Sequence, residues 1–348
     1  MPDKLNIAVL GAGSWGTTLA ILLDENGHRV ALWEFFPELA EAIRRDGENK
    51  RLLPGVRVPG SISIHSDITK ALEEVQLVVF AVPSHVVRSA AKMVAESGCL
   101  TEGTIIVNAA KGLEEKTLKR MSEVLADELP VAAGNIGTLV GPSHAEEVSR
   151  KMPTSVVIAA TDAATASRVQ DVFFRPYFRI YTNDDLIGVE VGVALKNIIA
   201  IAAGVCDGLG YGDNTKAALL TRGLVEITRL GCALGAKRET FFGLAGIGDL
   251  IATALSRHSR NRHVGEKIGR GESLDRVLRN MVMVAEGVRT TRAAVDMGKK
   301  LDADLPIISS VHAVLFEKMD PRKAINQLMS RPPQEEMNWM RAKGLERG

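Results

Sequence analysis

The sequence predicts an α/β protein, with an N-terminal domain of alternating strands and helices followed by an all-helical C-terminal domain. Three observations lead to this prediction. A glycine-rich turn separates a buried strand from a helix near the N-terminus, short apolar strands alternate with helices up to about residue 183, and helical segments alone follow. A chain of 348 residues exceeds one typical core, so two domains are expected, over residues 1–187 and 188–348.

The composition narrows the class of protein and its partners. Hydrophobic residues make up 46% of the chain and charged residues 24%, as in globular proteins, and the formal charge of +1 gives no electrostatic case for nucleic acid or an anionic membrane. Cys99, Cys206 and Cys232 stand far apart in apolar contexts, and no cluster has metal-ligand spacing. Because a strand follows soon after Met1–Lys4, no signal peptide is expected. We therefore predict a cytoplasmic protein with reduced cysteines, without a metal, nucleic acid or membrane partner.

A glycine-rich turn after the first strand is the first functional signal. Leu5–Leu10 is a nearly continuous apolar run, typical of a strand buried on both faces. Gly11–Gly16 follows with the spacing GxGxxG, a helix is predicted over Thr17–Asn26, and a second strand over Val30–Trp33. Glu34 ends that strand, 18 positions beyond the last glycine, as the dinucleotide fingerprint requires.

This arrangement predicts a Rossmann-like dinucleotide-binding domain. Gly11, Gly13 and Gly16 would let the backbone approach a pyrophosphate, whose charge is favourable at a helix N-terminus. The Glu34 carboxylate would accept hydrogen bonds from the adenosine ribose of NAD. A tight turn without a ligand is the alternative.

The remaining strands bring further polar loops to the same edge of the sheet, because ligands of open α/β sheets lie beyond the carboxyl ends of the strands. Pro83, Lys111 and Ser143 are therefore candidates to line a crevice. Lys111 could instead be a solvated loop lysine, and Ser143 a helix N-cap. The strands are predicted over Leu77–Val82, Thr104–Asn108, Gly137–Val140, Ser155–Ala160 and Phe178–Tyr181.

In the second half, one apolar helix contains an unexpected lysine. Glu190, Lys196 and Asn197 interrupt the apolar segment Val189–Val205. Burial of an ammonium without a partner is costly. A structural ion pair, a lysine whose stem extends to a helix end and a catalytic lysine therefore all remain open. The domain boundary is expected near Asn183–Gly188. The helices are predicted over Gly188–Leu209, Asn214–Leu234, Glu286–Met297 and Pro306–Lys318.

Two polar clusters of the helical half are candidates for chemistry. Gly243–Asp249 places a carboxylate after a glycine-rich bend, and Ser256–His263 holds three arginines, which suit a phosphate or form a solvated face. A hydride carrier needs a proton donor and an anchor from the partner domain. Lys196 could be the acid/base group, with Lys111 as a neighbouring cation across the crevice. Asp249 would be its counter-ion, and Arg260 with Asn261 would hold an anionic substrate group.

Eight motifs together resemble the bacterial NAD(P)-dependent sn-glycerol-3-phosphate dehydrogenase family over nearly the whole chain. The matching segments are Gly11–Ala20, Lys111–Glu114, Gly141–Val148, Gly192–Gly204, Gly212–Leu224, Gly243–Leu250, Ser259–Arg262 and Val284–Val288. The resemblance implies reversible reduction of dihydroxyacetone phosphate to sn-glycerol 3-phosphate, a phospholipid precursor, with Lys196 as the acid/base residue on the C2 oxygen.

The same resemblance implies two sets of site residues, with Lys111 in both. Those expected to line the substrate site are Lys111, Gly141, Ser143, Lys196, Asp249, Ser259, Arg260 and Asn261. Those expected to contact the dinucleotide are Ser14, Trp15, Lys111, Ala145, Arg260, Val284 and Glu286. A homodimer is an assembly that the sequence leaves open.

Two departures from the family pattern bear on the cofactor. His144 replaces a phenylalanine of the family, and Glu34-Phe35-Phe36 replaces a basic residue often found after the second strand. NADH is therefore the predicted cofactor and NADPH the second candidate. The alternative is that Glu34 faces solvent and that Arg44 or Arg45 reaches the 2′-phosphate of NADPH.

Two other functions are compatible with parts of the pattern. A β-hydroxyacid or ketopantoate reductase has a similar two-domain plan with a helical-domain lysine, but its lysine and asparagine are separated by several residues, whereas Lys196 and Asn197 are adjacent. A nucleotide-sensing protein would need the glycine fingerprint without the combination of Lys111, Lys196, Asp249 and Arg260.

Overall fold

The structure, a computed structural model, describes residues 4–333 and 335–336, and it divides into two compact units. The first contains the chain up to Lys111 together with Lys119–Leu186, and the second contains Gly112–Leu118 and the chain from Ile187 onward. The sequence did not indicate that the short segment after Lys111 packs with the helical half. The C-terminal segment 331–348 lies mostly outside the described residues.

The first unit is built on an eight-stranded sheet with the strand order β3-β2-β1-β4-β5-β6-β7-β8. All neighbouring strands are parallel except β6 and β7. The seven predicted strands are confirmed, and β3 was missed because it is only three residues long, at one edge of the sheet. The strands are β1 (Asn6–Leu10), β2 (Arg29–Trp33), β3 (Ser63–His65), β4 (Leu77–Phe80), β5 (Ile105–Asn108), β6 (Ile136–Val140), β7 (Thr154–Ala160) and β8 (Phe178–Asn183).

Both faces of this sheet are buried. Ile7 and Val9 of β1 belong to one hydrophobic cluster, whereas Ala8 and Leu10 belong to another. Successive side chains of a strand point to opposite faces, so the two clusters lie on the two faces, and this explains the continuous apolar run of the sequence. The helices of this unit are α1 (Ser14–Glu25), α2 (Pro37–Asp46), α3 (Ile68–Ala71), α4 (Val87–Glu96), α5 (Met121–Glu128), α6 (Ala145–Val148) and α7 (Ala163–Phe173).

All the regular elements named among the described residues of the second unit are helices. The predicted fold class, a Rossmann-like domain followed by a helical domain, is therefore confirmed. Helix α14 ends earlier than predicted, and Lys318 just beyond it has a left-handed φ of 59°. The helices are α8 (Leu186–Leu209), α9 (Asp213–Ala233), α10 (Asp249–Leu255), α11 (Arg260–Gly269), α12 (Leu274–Arg279), α13 (Glu286–Lys300), α14 (Pro306–Phe316) and α15 (Pro321–Met329).

Helix α8 is the central helix of the second unit. By length and composition it could cross a membrane, but 94% of its most apolar 18-residue stretch is buried inside the protein. Its side chains join those of α9, α11, α13 and α14 in one hydrophobic cluster. This burial is typical of the core helix of a globular domain, in which apolar residues lie all round the helix.

Glycines bring α8 and α11 into backbone contact. A Cβ atom on Gly204 would overlap the carbonyl oxygen of Arg262, and one on Gly265 would overlap the carbonyl oxygen of Ile201. Gly208 and Gly269, one turn further along each helix, are equally crowded. Because no other residue fits such a crossing, these glycines fix the distance between the two helices that contribute the polar groups described below.

Candidate active site

The glycine-rich turn between β1 and α1 has the shape required by a diphosphate. Gly11 has a φ of 106°, and a Cβ on Gly16 would overlap the carbonyl oxygen of Gly11, so these two glycines serve the turn itself. A Cβ on Gly13, in contrast, would meet no atom within 4 Å. Helix α1 begins with neither a side-chain cap nor an acidic residue in its first turn. Its N-terminus can therefore bind an anion, and Gly13 leaves room for one to approach.

Glu34 lies beside this turn. Its side chain does not point into solvent, whereas the alternative interpretation required it to do so. It is 9% exposed, and its carboxylate accepts hydrogen bonds from the Phe36 N–H (3.1 Å) and from the backbone of Ala12. Burial raises the pKa of the Glu34 carboxyl, and these backbone hydrogen bonds oppose the shift. Arg44 bonds the carbonyl oxygen of Ile64 at 2.8 Å and Arg45 bonds Asp46 at 2.9 Å, so both alternative cations already have partners.

Three other predicted cofactor contacts are distributed along the same unit. Ser14 is the first residue of α1, and its carbonyl oxygen accepts a hydrogen bond from Thr18 at 2.9 Å. The Trp15 ring packs 6.3 Å from that of Phe178, and its buried indole nitrogen has no hydrogen-bond partner among the described residues. Ala145 begins α6 and is buried. Ser14 and Trp15 thus stand at the turn.

Lys111, Gly141 and Ser143 are brought together by one carbonyl group. The Gly141 oxygen accepts hydrogen bonds from Lys111 Nζ at 2.8 Å and from Ser143 Oγ at 2.9 Å. Ser143 is therefore not a helix cap, since His144 occupies the N-cap position of α6. Gly141 has a φ of 143°, which favours glycine. The ends of β5 and β6 thus place an ammonium and a hydroxyl side by side.

Asn108 shapes the turn that carries Lys111, and sequence reasoning missed it. This fully buried amide accepts a hydrogen bond from the Ala110 N–H at 3.0 Å and donates to the Ala110 oxygen at 3.1 Å. It also lies 3.3 Å from the hydroxyl of Thr138 on β6. Its only signal in the sequence is a polar residue at the end of an apolar strand.

In the second unit, Lys196 forms a buried ion pair with Asp249. Lys196 Nζ lies 2.9 Å from Asp249 Oδ1 and also donates to Thr253 Oγ1 in a short contact, and all three residues are at most 5% exposed. Thr253, one turn after Asp249 on α10, also donates to that carboxylate at 3.2 Å. Two partners therefore orient the ammonium. Thr253 was missed because an isolated threonine in an apolar helix carries no sequence signal.

A glycine-rich π-helical turn places Asp249 against α8, the helix that contains Lys196. Leu244–Gly248 forms a single π-helical turn before α10, and Gly246 within it has a non-helical ψ of −105°. A Cβ on Gly192 of α8 would lie 2.8 Å from the carbonyl oxygen of Ala245. The motif Gly243–Asp249 is thus explained by a close approach that only glycines permit.

Asn197 and Asn261 connect three helices of this unit. Asn261 Nδ2 donates to Asn197 Oδ1 at 2.9 Å, and Asn261 Oδ1 accepts from the Gly287 N–H at 2.9 Å. Both amides are buried. Gly287 follows Glu286, the first residue of α13, and half-buried Val284 lies just before that helix. The amide pair therefore fixes the start of α13 relative to α8 and α11.

The three arginines of the Ser256–His263 cluster differ in their roles. Arg262 bonds Asp207 at 2.6 Å, and Lys216 bonds the other oxygen of that carboxylate at 2.9 Å, so Arg262 serves the fold. Arg257 and Arg260 are exposed. Ser259 is buried and caps α11 by accepting a hydrogen bond from the Arg262 N–H. Arg260 at the first position of α11 is thus placed to bind an anion at the start of a ten-residue helix.

The predicted site residues are divided between the two units. The first unit holds Gly11, Gly13, Ser14, Trp15, Gly16, Glu34, Lys111, Gly141, Ser143 and Ala145, and the second holds Lys196, Asp249, Ser259, Arg260, Asn261, Val284 and Glu286. Chemically, the first group contains an uncapped helix N-terminus and a buried carboxylate. The second contains a buried, oriented ammonium and an exposed guanidinium.

Comparison with known proteins agrees with this chemistry. Family models described as the N-terminus and C-terminus of NAD-dependent glycerol-3-phosphate dehydrogenase match residues 6–166 and 185–326. A glycerol-3-phosphate dehydrogenase [NAD(P)+] of Moorella thermoacetica is 54% identical, with 94% of this chain and 97% of that protein aligned. Its counterpart in Chlorobium limicola is 51% identical, with 96% and 100% aligned.

A solved structure is similar over the same length. The glycerol-3-phosphate dehydrogenase of Coxiella burnetii is 36% identical to this chain, with a TM-score of 0.90 over 95% of this chain and all of that one. Matches to both halves of the sequence, by family models and by full-length relatives, leave one assignment: the chain belongs to the NAD(P)-dependent glycerol-3-phosphate dehydrogenase family.

Proposed function

We propose that this enzyme interconverts dihydroxyacetone phosphate and sn-glycerol 3-phosphate with Lys196 as general acid/base, in keeping with the NAD(P)-dependent activity of its family. The observation that carries the proposal is the buried contact of Lys196 with Asp249 and Thr253. An ammonium held by two groups is preorganised to give its proton in a fixed direction.

The reaction requires a proton at oxygen and a hydride at carbon. When bound, the nicotinamide supplies a hydride to C2 of the ketone. Lys196 gives a proton to the C2 oxygen, which becomes the hydroxyl of glycerol 3-phosphate, and the neutral amine regains a proton from water. Asp249 stabilises the ammonium form and keeps it oriented. In the reverse direction the amine accepts the hydroxyl proton.

The phosphate group is assigned to the start of α11. Arg260 is the exposed cation at its first position, and Ser259 and Asn261 flank it. A guanidinium suits a phosphate because its donors match two phosphate oxygens at once. We assign Lys111, Gly141 and Ser143 of the first unit to the substrate as well. Binding energy from a phosphate remote from C2 serves to orient the ketone.

We further propose a preference for NADH over NADPH. Glu34 is buried beside Ala12 of the glycine-rich turn, where a carboxylate can accept hydrogen bonds from the adenosine ribose. The same charge repels a 2′-phosphate. The ratio of kcat/KM for the two cofactors tests this directly, and Glu34→Arg is expected to erode or reverse it with little change in kcat. Equal or better use of NADPH by the wild type would contradict the assignment.

The product suggests a place in metabolism. sn-Glycerol 3-phosphate is the backbone on which glycerophospholipids are built, so we assign the enzyme to their supply, in the cytoplasm. A defect in phospholipid synthesis after gene deletion, rescued by exogenous glycerol 3-phosphate, is the expected result. Unchanged lipid synthesis would remove this role without touching the reaction.

One assay tests the reaction itself. NADH oxidation is followed by absorbance with dihydroxyacetone phosphate, unphosphorylated dihydroxyacetone and ketopantoate. We expect turnover of the first, weak turnover of the second and none of the third. Activity with ketopantoate instead would favour the hydroxyacid reductase type, and cofactor binding without any turnover would favour a nucleotide sensor.

A further inference from the structure

The turn after α2 is hydrogen-bonded to the glycine-rich turn, although Asn49 and Ala12, the residues that make the contact, are 37 positions apart in the sequence. Asn49 is 4% exposed, and its Nδ2 donates to the carbonyl oxygen of Ala12 at 2.7 Å and to the hydroxyl of Thr17 at 3.1 Å. Its Oδ1 accepts from the Leu52 N–H at 3.2 Å, which closes the turn. The segment 49–53 is thus fixed against the start of α1.

Ala12 is the residue that Glu34 and Asn49 share. Its backbone hydrogen-bonds to the Glu34 carboxylate, and its carbonyl oxygen accepts from Asn49. Arg51, two residues after Asn49, is consequently held near that carboxylate, and the two side chains interact electrostatically. A carboxylate and a guanidinium therefore stand together where the adenosine ribose is assigned.

Arg51 differs from the three cations that precede it from α2 onward. Arg44 bonds Glu41 and Ile64, Arg45 bonds Asp46, and Lys50 lies 3.1 Å from Asp46. Arg51 is exposed and forms no ion pair within residues 4–333. It is thus a cation near Glu34 that a ligand can recruit without breaking a pair.

We propose that Arg51 is a specificity-determining residue that binds the 2′-phosphate of NADPH. The inference rests on the proposed function only in placing the adenosine ribose at Glu34. Glu34 favours the ribose hydroxyls of NADH, and Arg51 offsets part of its repulsion of a 2′-phosphate, so that the enzyme retains a measurable use of NADPH. The cation comes from the turn after α2, whereas the segment between β2 and α2, Glu34-Phe35-Phe36, contains no cation.

The test measures binding of adenosine 2′,5′-bisphosphate and of 5′-AMP, as competitors of NADH, to wild type and Arg51→Gln. Loss of a charge-assisted phosphate contact is expected to weaken binding of the bisphosphate about tenfold and binding of 5′-AMP less than about twofold. Arg45→Gln is the matched control, because it removes the same charge from a residue paired with Asp46. It should alter neither probe. Equal weakening of both probes by Arg51→Gln, or of neither, would overturn the proposal.

A third variant separates this proposal from the cofactor assignment. If the ribose lies at Glu34, Glu34→Gln should strengthen binding of the bisphosphate relative to binding of 5′-AMP. If Glu34→Gln changes the affinity for the bisphosphate relative to 5′-AMP and Arg51→Gln does not, only the inference about Arg51 is wrong. Should neither respond, the ribose lies elsewhere and both assignments are wrong. The readout is binding, so it does not depend on turnover of dihydroxyacetone phosphate.

Discussion

The two units hold candidate site residues of different kinds. In the first unit, main-chain groups dominate: the turn after β1, the uncapped start of α1 and the Gly141 carbonyl group. In the second unit, side chains of crossing helices dominate, with Lys196, Asp249 and Thr253 contributed by α8 and α10. A backbone site follows from a local motif, whereas a side-chain site depends on how helices pack.

Glycine illustrates the same difference. Gly13 of the first unit faces open space, where an added Cβ would meet no atom within 4 Å. Gly265 of the second unit lies against the backbone of α8, where an added Cβ would overlap the Ile201 oxygen. The first glycine leaves room for a ligand, and the second permits a helix contact. Substitutions should therefore affect binding in one unit and stability in the other.

The largest effect on stability is expected from Asp249→Asn. It leaves the Lys196 ammonium buried without its charge partner, and breaking a buried pair in this way costs about 3–5 kcal/mol. Urea denaturation measures the free energy of unfolding. The control is Asp304→Asn, whose side chain is 58% exposed and pairs with Arg331, and it should cost less than about 1 kcal/mol. Equal costs for the two variants would contradict the account of the second unit.

Glu226 is a second buried charge of the helical unit. Its carboxylate accepts from the N–H groups of Ile307 and Ile308 at the start of α14, at 2.7 and 3.0 Å, and burial raises its pKa to about 7. Because this folded-state pKa lies above the ordinary value of 4.5, the folded state binds more protons between these two pH values. Stability from Glu226 is thus fully present below pH 4.5 and lost as the pH rises to about 7.

The variant Glu226→Gln should therefore change the pH dependence of stability. The wild type is expected to lose up to about 3 kcal/mol relative to this variant between pH 5 and pH 8. Chemical denaturation at both pH values measures the difference. Glu41→Gln is the surface control, since its side chain is 60% exposed and its partner, Arg44, is an arginine, which does not change charge in this pH range. If the free energies of unfolding of the wild type and the variant differ by the same amount at both pH values, the raised pKa assigned to Glu226 is disproved.

Gly265→Ala should destabilise the second unit by about 1–3 kcal/mol, because a backbone carbonyl cannot move aside as a side chain can. Thermal unfolding gives the shift. Gly212→Ala is the control: it lies at the N-cap of α9 with a φ of −87°, and an added Cβ meets nothing within 4 Å. A Gly265→Ala protein as stable as the wild type would mean that the helices are not in contact.

The smallest effect is expected from Gly13→Ala. Gly13 has a φ of −69°, which any residue adopts, and an added Cβ has space, so the thermal midpoint should not move. The methyl group would occupy the room assigned to the pyrophosphate, and the Kd for NADH should rise about tenfold, equivalent to about 1.4 kcal/mol. An unchanged Kd, measured by fluorescence titration, would place the diphosphate elsewhere.

The sequence predicted the first unit better than the second. The GxGxxG motif and Glu34 could be linked because their spacing along the chain matches the dinucleotide fingerprint. The strands could be predicted from their continuous apolar runs. Residues that act across a fold, such as Asn49 and Asn108, had no such signal, because a single buried amide looks like any loop or strand-end asparagine. The antiparallel pairing of β6 with β7 was likewise absent from the local pattern.

In the second unit, the apolar surroundings of Lys196 and the glycine-rich bend before Asp249 singled out both residues and predicted that the carboxylate acts as a counter-ion, but the geometry of their contact could not be predicted. The ion pair depends on the π-helical turn at Leu244–Gly248, which no periodicity indicates. Sequence reasoning chose Arg260 for the substrate, but the sequence assigned no partner to Arg262, two residues further on. Only the position of Asp207 against Arg262 shows that one arginine serves the fold and leaves the other exposed.

The central claim is that Lys196 transfers the proton and takes no part in holding the cofactor. It is tested most directly by measuring kcat for dihydroxyacetone phosphate reduction and the Kd for NADH on the same Lys196→Ala protein. The account predicts that kcat falls about 10²–10⁴-fold, the usual contribution of a general acid, while the Kd changes less than about twofold. A fall in kcat of less than tenfold, or a loss of NADH affinity as large as the loss of kcat, would contradict it.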